Sequence, residues 1–361
     1  MNGQLQSDIQ TKSNFMLVLG IDTSFDDTAA AVIKDTTILS NVLSCDLSVY
    51  QEWGGVVPRL ARLSHEKHID ATIYAALKKA HVGIESIDVL AVTQGPGLSI
   101  TLEIGIAKAK ELAKLHNIPL VAVNHMEGHL LSCLAKPNSA RAHQTEILFP
   151  SIGILVSGKN TQFVLVKAIG EYQILGETQD DAMGEAFDKV GRMLGLGYPA
   201  GSLIEKLAKN GTQGAIVFPI PMHSIKSADT SYSGLKTAAM RIIEPLKEKR
   251  DGVLTKQDIC DIALGFQTVC ITHLSEKLLF AMKEYPPSSL VLGGGVAANG
   301  ALRATLRTVS RRHNIPLFLP YTKKLCVDNA AMIALVGAIK AKKNLFVSDI
   351  DALDRQPNKK L

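Results

Sequence analysis

Two strand–turn–strand patterns, one in each half of the chain, stand out in the distribution of apolar residues. The first spans Phe15–Ile33 and is interrupted by the polar turn Asp22–Thr28; the second spans Ser151–Lys167 and is interrupted by Ser157–Gln162. Short apolar runs bounded by small polar residues are typical of β-strands. The repetition predicts a duplicated α/β unit.

Longer segments with helical periodicity alternate with further strand-length runs. Strands are predicted at Ile87–Thr93, Ile118–Val123 and Ser289–Leu292, and helices at Leu63–Ala80, Ile100–His116, Ala182–Leu194, Ser202–Lys209, Asp258–Lys283, Asn299–Arg311 and from Met126 onward. This alternation predicts mainly parallel sheets whose faces are covered by helices. The polar segment Lys136–Thr145 is predicted to cross between two domains.

Composition narrows the class of protein. An apolar fraction of 46% in 361 residues excludes global disorder and predicts two domains. No apolar run approaches the roughly 18 residues of a membrane span, and the polar start of the chain lacks a secretory signal core. The five cysteines are scattered without a CxxC pair, so we expect a cytoplasmic protein with no membrane partner. A net charge of +5 permits a nucleic-acid partner but does not argue for one.

A pair of histidines gives the sharpest candidate site. His125 and His129 are four residues apart, so a helix would place them on one face, as two ligands of one metal ion require. Asp328 is a candidate third ligand. The alternatives are two ordinary histidines and an aspartate that caps a helix. A zinc protease is disfavoured because Met126 stands where an HExxH motif needs glutamate.

The two polar turns are candidate phosphate-binding loops. Asp22–Ser24 and Ser157–Gly158 offer hydroxyl and backbone N–H groups, which can hold phosphates across a cleft. Ordinary hairpin turns are the alternative. Gly293–Gly295 lies between a predicted strand and the helix at Asn299, where glycines let a backbone approach a ligand closely.

An acidic stretch is a candidate ribose site. Asp181, Glu185 and Asp188 are spaced to share one helical face and could accept the two hydroxyls of a ribose. A solvated acidic face is the alternative. The glycine-rich loop Gly195–Gly201 follows directly and favours the functional interpretation.

Taken together, these motifs resemble a known family. The chain is similar from about Leu17 to Ala334 to the tRNA N6-adenosine threonylcarbamoyltransferases of the bacterial TsaD and eukaryotic Kae type, once known as glycoproteases. The resemblance rests on GIDTSFDDT, GGVVPRLA, GPGLS, NHMEGH, LVSG, GETQDDAMGEAFDKV, LGLGYPAG, SYSGLKTA, GGGVAAN and CVDNAAMIA, in that order.

The resemblance implies an architecture. We expect an actin/Hsp70-like (ASKHA) fold of two duplicated α/β domains with the active site in the cleft between them. The N-terminal domain would comprise residues 15–124 and about 325–345, and the C-terminal domain residues 125–324. Residues 1–14 and 346–361 would be tails.

The resemblance also implies a reaction. The threonylcarbamoyl group would pass from threonylcarbamoyl-AMP to N6 of adenosine 37 in tRNAs that read ANN codons, with release of AMP. Partners would be the tRNA anticodon stem-loop, a paralogous subunit and a small ATPase.

Motif matching assigns candidate residues to this reaction. His125, His129 and Asp328 would hold one divalent metal ion per subunit, Fe²⁺ or Zn²⁺. Asp26 is the candidate for proton transfer. Substrate-binding residues would be Leu155, Val156, Ser157, Gly158 and Lys159 at the phosphate and acyl groups, Asp188 and Glu205 at the ribose, Gly201 beside the nucleoside, and Asn299 at the base.

Departures from the family pattern leave alternatives open. Phe25 replaces a small cysteine, Arg59 replaces a glutamate, and Lys159-Asn160 replaces Gly-His in the phosphate loop. We favour an active enzyme in which Lys159 pairs with a phosphate. A catalytically impaired nucleotide-binding scaffold subunit, or a kinase or ATPase of the same fold, would also fit the motifs.

Overall fold

Two β-sheets, one from each half of the chain, organise the structure. The computed structural model describes residues 15–46, 55–139 and 146–361. The predicted crossing segment therefore lies partly outside the described residues. Its first two residues, Lys136–Pro137, pair with the edge of the first sheet.

The first sheet has six strands in the order β5-β4-β1-β2-β3-β6. Its strands are β1 Leu17–Asp22, β2 Thr28–Lys34, β3 Thr37–Ser44, β4 Val89–Gly95, β5 Leu120–Asn124 and β6 Lys136–Pro137. β1 is antiparallel to β2 but parallel to β4, and β4 is parallel to β5. The carboxyl ends of β1, β4 and β5 therefore share one edge of the sheet.

The second sheet repeats this plan with five strands in the order β11-β10-β7-β8-β9. Its strands are β7 Ser151–Val156, β8 Thr161–Ala168, β9 Glu171–Glu177, β10 Ser289–Gly293 and β11 Leu317–Phe318. β7 is antiparallel to β8 and parallel to β10. The predicted pair of strand–turn–strand units is confirmed. Among the described strands five pairs are parallel and four are antiparallel, so parallel pairs predominate only narrowly, because each sheet also contains an antiparallel three-strand meander.

Nine α-helices lie within the described residues. They are α1 Pro58–Ala80, α2 Ser99–His116, α3 His125–Leu131, α4 Met183–Met193, α5 Gly201–Ala208, α6 Ser233–Glu248, α7 Lys256–Glu284, α8 Gly300–His313 and α9 Ala330–Lys342. α1 begins at Pro58, five residues before the predicted start, because proline is well suited to the first helical turn. No described helix is long and apolar enough to cross a bilayer.

The helices α3 and α9 lie where the two sheets approach each other. α9 follows the second sheet in sequence but packs on β1, β2 and β4 of the first. One apolar cluster joins Val18 and Val123 of the first sheet to Leu155 and Val291 of the second. The contact fixes the cleft geometry because the two halves share a core. The exact domain boundaries stay a prediction.

Five strands and α-helices were not predicted, namely the two-residue strands β6 and β11, the helix α6, and the longer strands β3 and β9. Both strands are largely half-buried or exposed, so they lack the continuous apolar runs that identify buried strands. Backbone pairing with β2 and β8 places them in the sheets regardless of their side chains.

Candidate active site

The helix α3 carries the two candidate metal-binding histidines. It begins directly after β5, where the Asn124 side chain accepts hydrogen bonds from the Met126 and Glu127 backbone N–H groups. Such a cap stabilises the first turn of a helix. His125 and His129 lie one turn apart and are both buried, with ring centroids 4.6 Å apart.

Asp328 completes the cluster from the opposite side. One of its carboxylate oxygens lies 3.3 Å from His125 Nε2 and 3.1 Å from His129 Nε2. The alternative in which Asp328 caps the following helix is wrong, because Asn329 accepts the hydrogen bond from Met332 N–H at the start of α9. The Asp328 carboxylate is thereby left to the two imidazoles.

The charges of this cluster favour a cation. Burial opposes a charged imidazole, but the carboxylates of Asp22 and Asp328 outweigh it and raise the pKa of His125 to about 10. Burial would raise the pKa of Asp328, yet the two imidazoles hold it far below its usual range. Burial and the neighbouring His125 lower the pKa of His129. The carboxylates of Asp22 and Asp328 thus favour positive charge at the imidazoles between them.

The donor set also fits a divalent metal ion. Ligand atoms of His125, His129 and Asp328 lie within 4.8 Å of one another. Two imidazoles and one carboxylate are typical ligands of Zn²⁺ and Fe²⁺. Behind His125, Asp22 Oδ2 lies 3.4 Å from Nδ1, so a carboxylate stands on the side of the ring where metal-binding histidines usually have a second partner. These two buried atoms have no hydrogen-bond partner within the described parts of the chain.

The β7–β8 turn faces this cluster, and several of its backbone groups are hydrogen-bonded within the turn itself. The Ser157 hydroxyl accepts hydrogen bonds from Asn160 N–H at 3.1 Å and Lys159 N–H at 3.4 Å. An anion at this turn would therefore depend on the side chain of Lys159 more than on these two N–H groups. Lys159 Nζ lies 3.9 Å from the centroid of the Phe25 ring, which belongs to the β1–β2 turn. Two departures from the family pattern thus contact each other.

Asp26, the candidate for proton transfer, lies beside that contact. Burial raises its pKa to about 7, with further contributions from the charges of Asp27 and Asp328. Burial likewise raises the pKa of Asp27 to about 6. Asp26 can therefore exchange a proton near neutral pH, which the ordinary pKa of an aspartate would not allow.

A cavity of about 470 Å³ lies between the metal-site cluster and the β7–β8 turn, and Asp26 is not among the residues that line it. Its lining includes Phe25, His125, Asp328 and the turn Ser157–Asn160. Leu155 and Val156 are buried in β7 directly behind the turn. The volume is within the roughly 300–1,000 Å³ of small-molecule sites. The sequence-predicted metal and phosphate residues are thus brought together.

Four predicted substrate residues form a neighbouring group instead, and within the described residues none of them lines the cavity. Asp188 accepts a hydrogen bond from Ala200 N–H at 2.8 Å, and Glu205 accepts one from Gly300 N–H at 3.0 Å. The remaining members, Gly201 and Asn299, begin α5 and cap α8, respectively.

Tyr198 is a half-buried residue to which sequence reasoning gave no role. Burial raises the pKa of its phenol, and the charges of both Asp26 and Asp188 act on it in the same direction. It lies in the glycine-rich loop before α5, and no sequence motif distinguishes it from the other residues of that loop.

The predicted acidic helical face is wrong. α4 begins at Met183, so Asp181 lies before the helix. Asp181 and Glu185 both pair with Lys189. Only Asp188 of the three reaches the start of α5, which leaves it as the ribose candidate.

The triple glycine serves packing as much as ligand access. A Cβ at Gly293 would overlap the His129 carbonyl oxygen, so this glycine lets β10 touch the metal-site helix. Gly294 has a φ of +92° and lies against the Val156 carbonyl. Only Gly295 faces open space. The triple glycine thus allows close packing against both α3, which carries the two histidines, and β7, which leads into the phosphate-loop candidate.

Comparisons with known proteins identify the family. The sequence profile of the tRNA N6-adenosine threonylcarbamoyltransferases (TsaD) matches residues 37–335. A relative of that name from Thermosipho africanus is 41% identical over 347 residues, covering 96% of this chain and all of the relative. Another from Cyanothece sp. is 42% identical and covers 89% and 91% of the two chains. The chain belongs to this family.

Solved structures agree on the fold of this family member. The activator of 2-hydroxyisocaproyl-CoA dehydratase from Clostridium difficile superposes with a TM-score of 0.50 at 14% identity, covering 91% of this chain and 97% of its own. HypF of T. kodakarensis gives 0.55 at 14%, covering 91% and 48%. The expected actin/Hsp70-like fold is confirmed, and family membership places the chain among the transferases of tRNA modification.

Proposed function

We propose that this protein transfers the threonylcarbamoyl group from threonylcarbamoyl-AMP to N6 of adenosine 37 in tRNAs that read ANN codons. One observation carries the proposal within this family: a single cavity joins the His125–Asp328 cluster to the phosphate-loop candidate Ser157–Lys159. AMP is the leaving group.

The metal site comprises His125, His129 and Asp328, which would hold one Fe²⁺ or Zn²⁺ ion. The buried donor set and the carboxylate of Asp22 behind His125 support this assignment. When bound, such an ion supplies a Lewis acid that orients the donor and stabilises negative charge on its oxygens.

The donor is held by groups from the second half of the chain. Ser157, Gly158 and Lys159 contact its phosphate, with the Lys159 ammonium as the charged partner. Asp188 and Glu205 can each accept a further hydrogen bond from a ribose hydroxyl, because a carboxylate offers about four acceptor positions on its two oxygens. Gly201 packs beside the nucleoside, and the unused N–H of Asn299 contacts the base.

Positioning and proton transfer account for the chemistry. Adenine N6 attacks the carbonyl carbon of the donor, the bond from that carbon to the phosphate oxygen breaks, and AMP departs with the electron pair. N6 must lose a proton in this step, and Asp26 with its pKa of about 7 accepts it. A base in an anticodon loop is already unpaired and can enter the cleft at little cost.

Partners and location follow from the same reaction. We place the protein in the cytoplasm with the tRNA anticodon stem-loop as acceptor, together with a paralogous subunit and a small ATPase. A catalytically impaired scaffold is the second candidate. It is favoured by the Lys159-Asn160 loop, in which the backbone N–H groups of both residues donate to the Ser157 hydroxyl and are not free for a phosphate.

A reconstituted transfer assay tests the proposal. The purified chain is combined with partner proteins, threonylcarbamoyl-AMP and tRNA, and modified adenosine is measured by nucleoside mass spectrometry. We expect transfer by the unsubstituted chain and its loss in Asp328→Ala. Donor binding without transfer would contradict the enzyme and favour the scaffold, and ATP hydrolysis without transfer would favour a kinase or ATPase.

A further inference from the structure

The segment Asp354–Leu361, which sequence reasoning left as part of a tail, is bound at the active-site cleft. Five of its residues, Pro357–Leu361, line the same cavity as His125 and Lys159. Gln94 anchors it at the end of β4, where its backbone carbonyl accepts from Gln356 N–H at 2.8 Å and its side chain donates to the Asp354 carbonyl at 2.9 Å. The segment is therefore part of the site's wall.

The GPGLS motif provides the binding surface for this segment. A Cβ at Gly95 would overlap the Gln356 carbonyl oxygen, so glycine is needed where the two backbones touch. Gly97 N–H donates to the Pro357 carbonyl at 3.1 Å. The motif, for which the proposed reaction has no role, is thus explained by its contact with the 354–361 segment.

A further contact reaches the metal-site helix. Asn124, whose side-chain oxygen caps α3, donates its Nδ2 to the Lys360 carbonyl at 2.9 Å. Lys359 Nζ donates to the Gln94 side chain. The backbone of the segment is fixed at both ends, which holds the exposed side chain of Lys360 at the mouth of the cleft.

The charge of the segment favours an anionic partner. Residues 354–361 contain three basic residues, Arg355, Lys359 and Lys360, and one acidic residue, Asp354, which pairs with Arg355. Arg355 and Lys359 are engaged by Ser99 and Gln94, whereas Lys360 faces solvent. A whole-chain charge of only +5 gives little long-range attraction, so an RNA ligand depends on such local cations.

We propose that the 354–361 segment is an RNA-binding rim of the cleft, in which Lys360 contacts a backbone phosphate of the acceptor tRNA near the entering adenosine. This inference rests on the proposed function, because it takes tRNA as the acceptor. The cavity of about 470 Å³ is open with the segment in place, which is what a wall rather than a plug requires.

Salt-dependent binding of an anticodon stem-loop tests the rim. For Lys360→Gln we expect about two- to fourfold weaker binding, and a plot of log affinity against log salt that is shallower by about 0.7–0.9, as for loss of one phosphate contact. Lys79→Gln is the matched control, because Lys79 is an exposed lysine at the end of α1, away from the carboxyl edge of the first sheet. Equal affinity and slope in Lys360→Gln and the unsubstituted chain would overturn the proposal.

Removal of Asn358–Leu361 tests the segment as a whole. This truncation retains the Gln356 and Pro357 contacts but removes two cations, so we expect about tenfold weaker RNA binding. Tighter RNA binding or faster transfer would overturn the proposal and identify the segment as an inhibitory plug. Failure of the proposed function would instead appear as absent transfer by the unsubstituted chain, whatever the affinities of the variants.

Discussion

The β1–β2 turn and the β7–β8 turn occupy equivalent positions in the two sheets but present opposite chemistry. The first turn contains Asp22, Asp26 and Asp27, whose carboxylates lie in a largely buried environment. The second contains Ser157, Gly158 and Lys159, and its tip is exposed. The duplicated unit therefore supplies two matching scaffolds, and the residues within each turn determine what it binds.

This difference assigns a separate task to each half of the cleft. In the acidic turn, Asp22 lies beside the proposed metal ligand His125, and Asp26 can hold a proton near neutral pH. The second turn presents a cation of its own to an anionic donor. Because Lys159 contacts Phe25, the two turns meet at this pair of residues.

The strongest test of the acidic half removes the carboxylate shared by both histidines. In Asp328→Ala, we expect metal content to fall to about a tenth or less and transfer to fall by at least about 100-fold. Mutation of residues that only hydrogen-bond to metal ligands already lowers metal affinity or activity by about 10–100-fold, and Asp328 is a proposed ligand itself. Metal is measured by mass spectrometry of the purified protein. Asp181→Ala is the control, since Asp181 pairs with Lys189 outside the cluster. Unchanged metal content in Asp328→Ala would contradict the ligand assignment.

The second half is tested by removing its charge. In Lys159→Met, we expect AMP and donor binding to weaken about tenfold, which corresponds to about 1.4 kcal/mol and is close to the lower end for a hydrogen bond to a charged group. Calorimetry gives the affinity directly. Lys167→Met at the far end of β8 serves as control. If Lys159→Met binds AMP as tightly as the unsubstituted chain, the lysine does not replace the family's usual phosphate loop.

The buried carboxylates of the first turn predict a pH dependence of stability. The pKa of Asp26 is about 7 in the folded protein and near 3.8 when unfolded, so the folded state holds a proton that the unfolded state releases between about pH 4 and 7. Folding stability should therefore fall as pH rises through that window. Asp27, with its pKa of about 6, contributes in the same direction.

Asp26→Asn should remove part of this loss. In chelator-treated protein, we expect its melting temperature to exceed that of the unsubstituted chain by about 3 °C at pH 8 and by less at pH 5. Asp251→Asn, at an exposed loop position, is the control. An equal pH dependence in Asp26→Asn and the unsubstituted chain would mean that Asp26 does not hold a proton near neutrality.

Sequence reasoning succeeded where a local pattern carries the information. The spacing of His125 and His129 predicted a shared helical face, and the polar interruptions predicted both turns. It failed where partners are distant in sequence. Asp181 could not be separated from Asp188 without the start of α4, and nothing near residue 354 indicated that this segment would bind Gly97.

The smallest predicted effect tests the contact that joins the two turns. Phe25→Leu keeps an apolar side chain but removes the ring beneath Lys159 Nζ, and such a contact is worth about 0.5–1 kcal/mol at an exposed site. We expect AMP binding to weaken about two- to fivefold because the lysine loses its preferred position. The same substitution in a Lys159→Met background should have no further effect, since there is no ammonium left to position. An equal loss in both backgrounds would show that Phe25 acts on the donor directly, and that the two halves of the cleft bind independently.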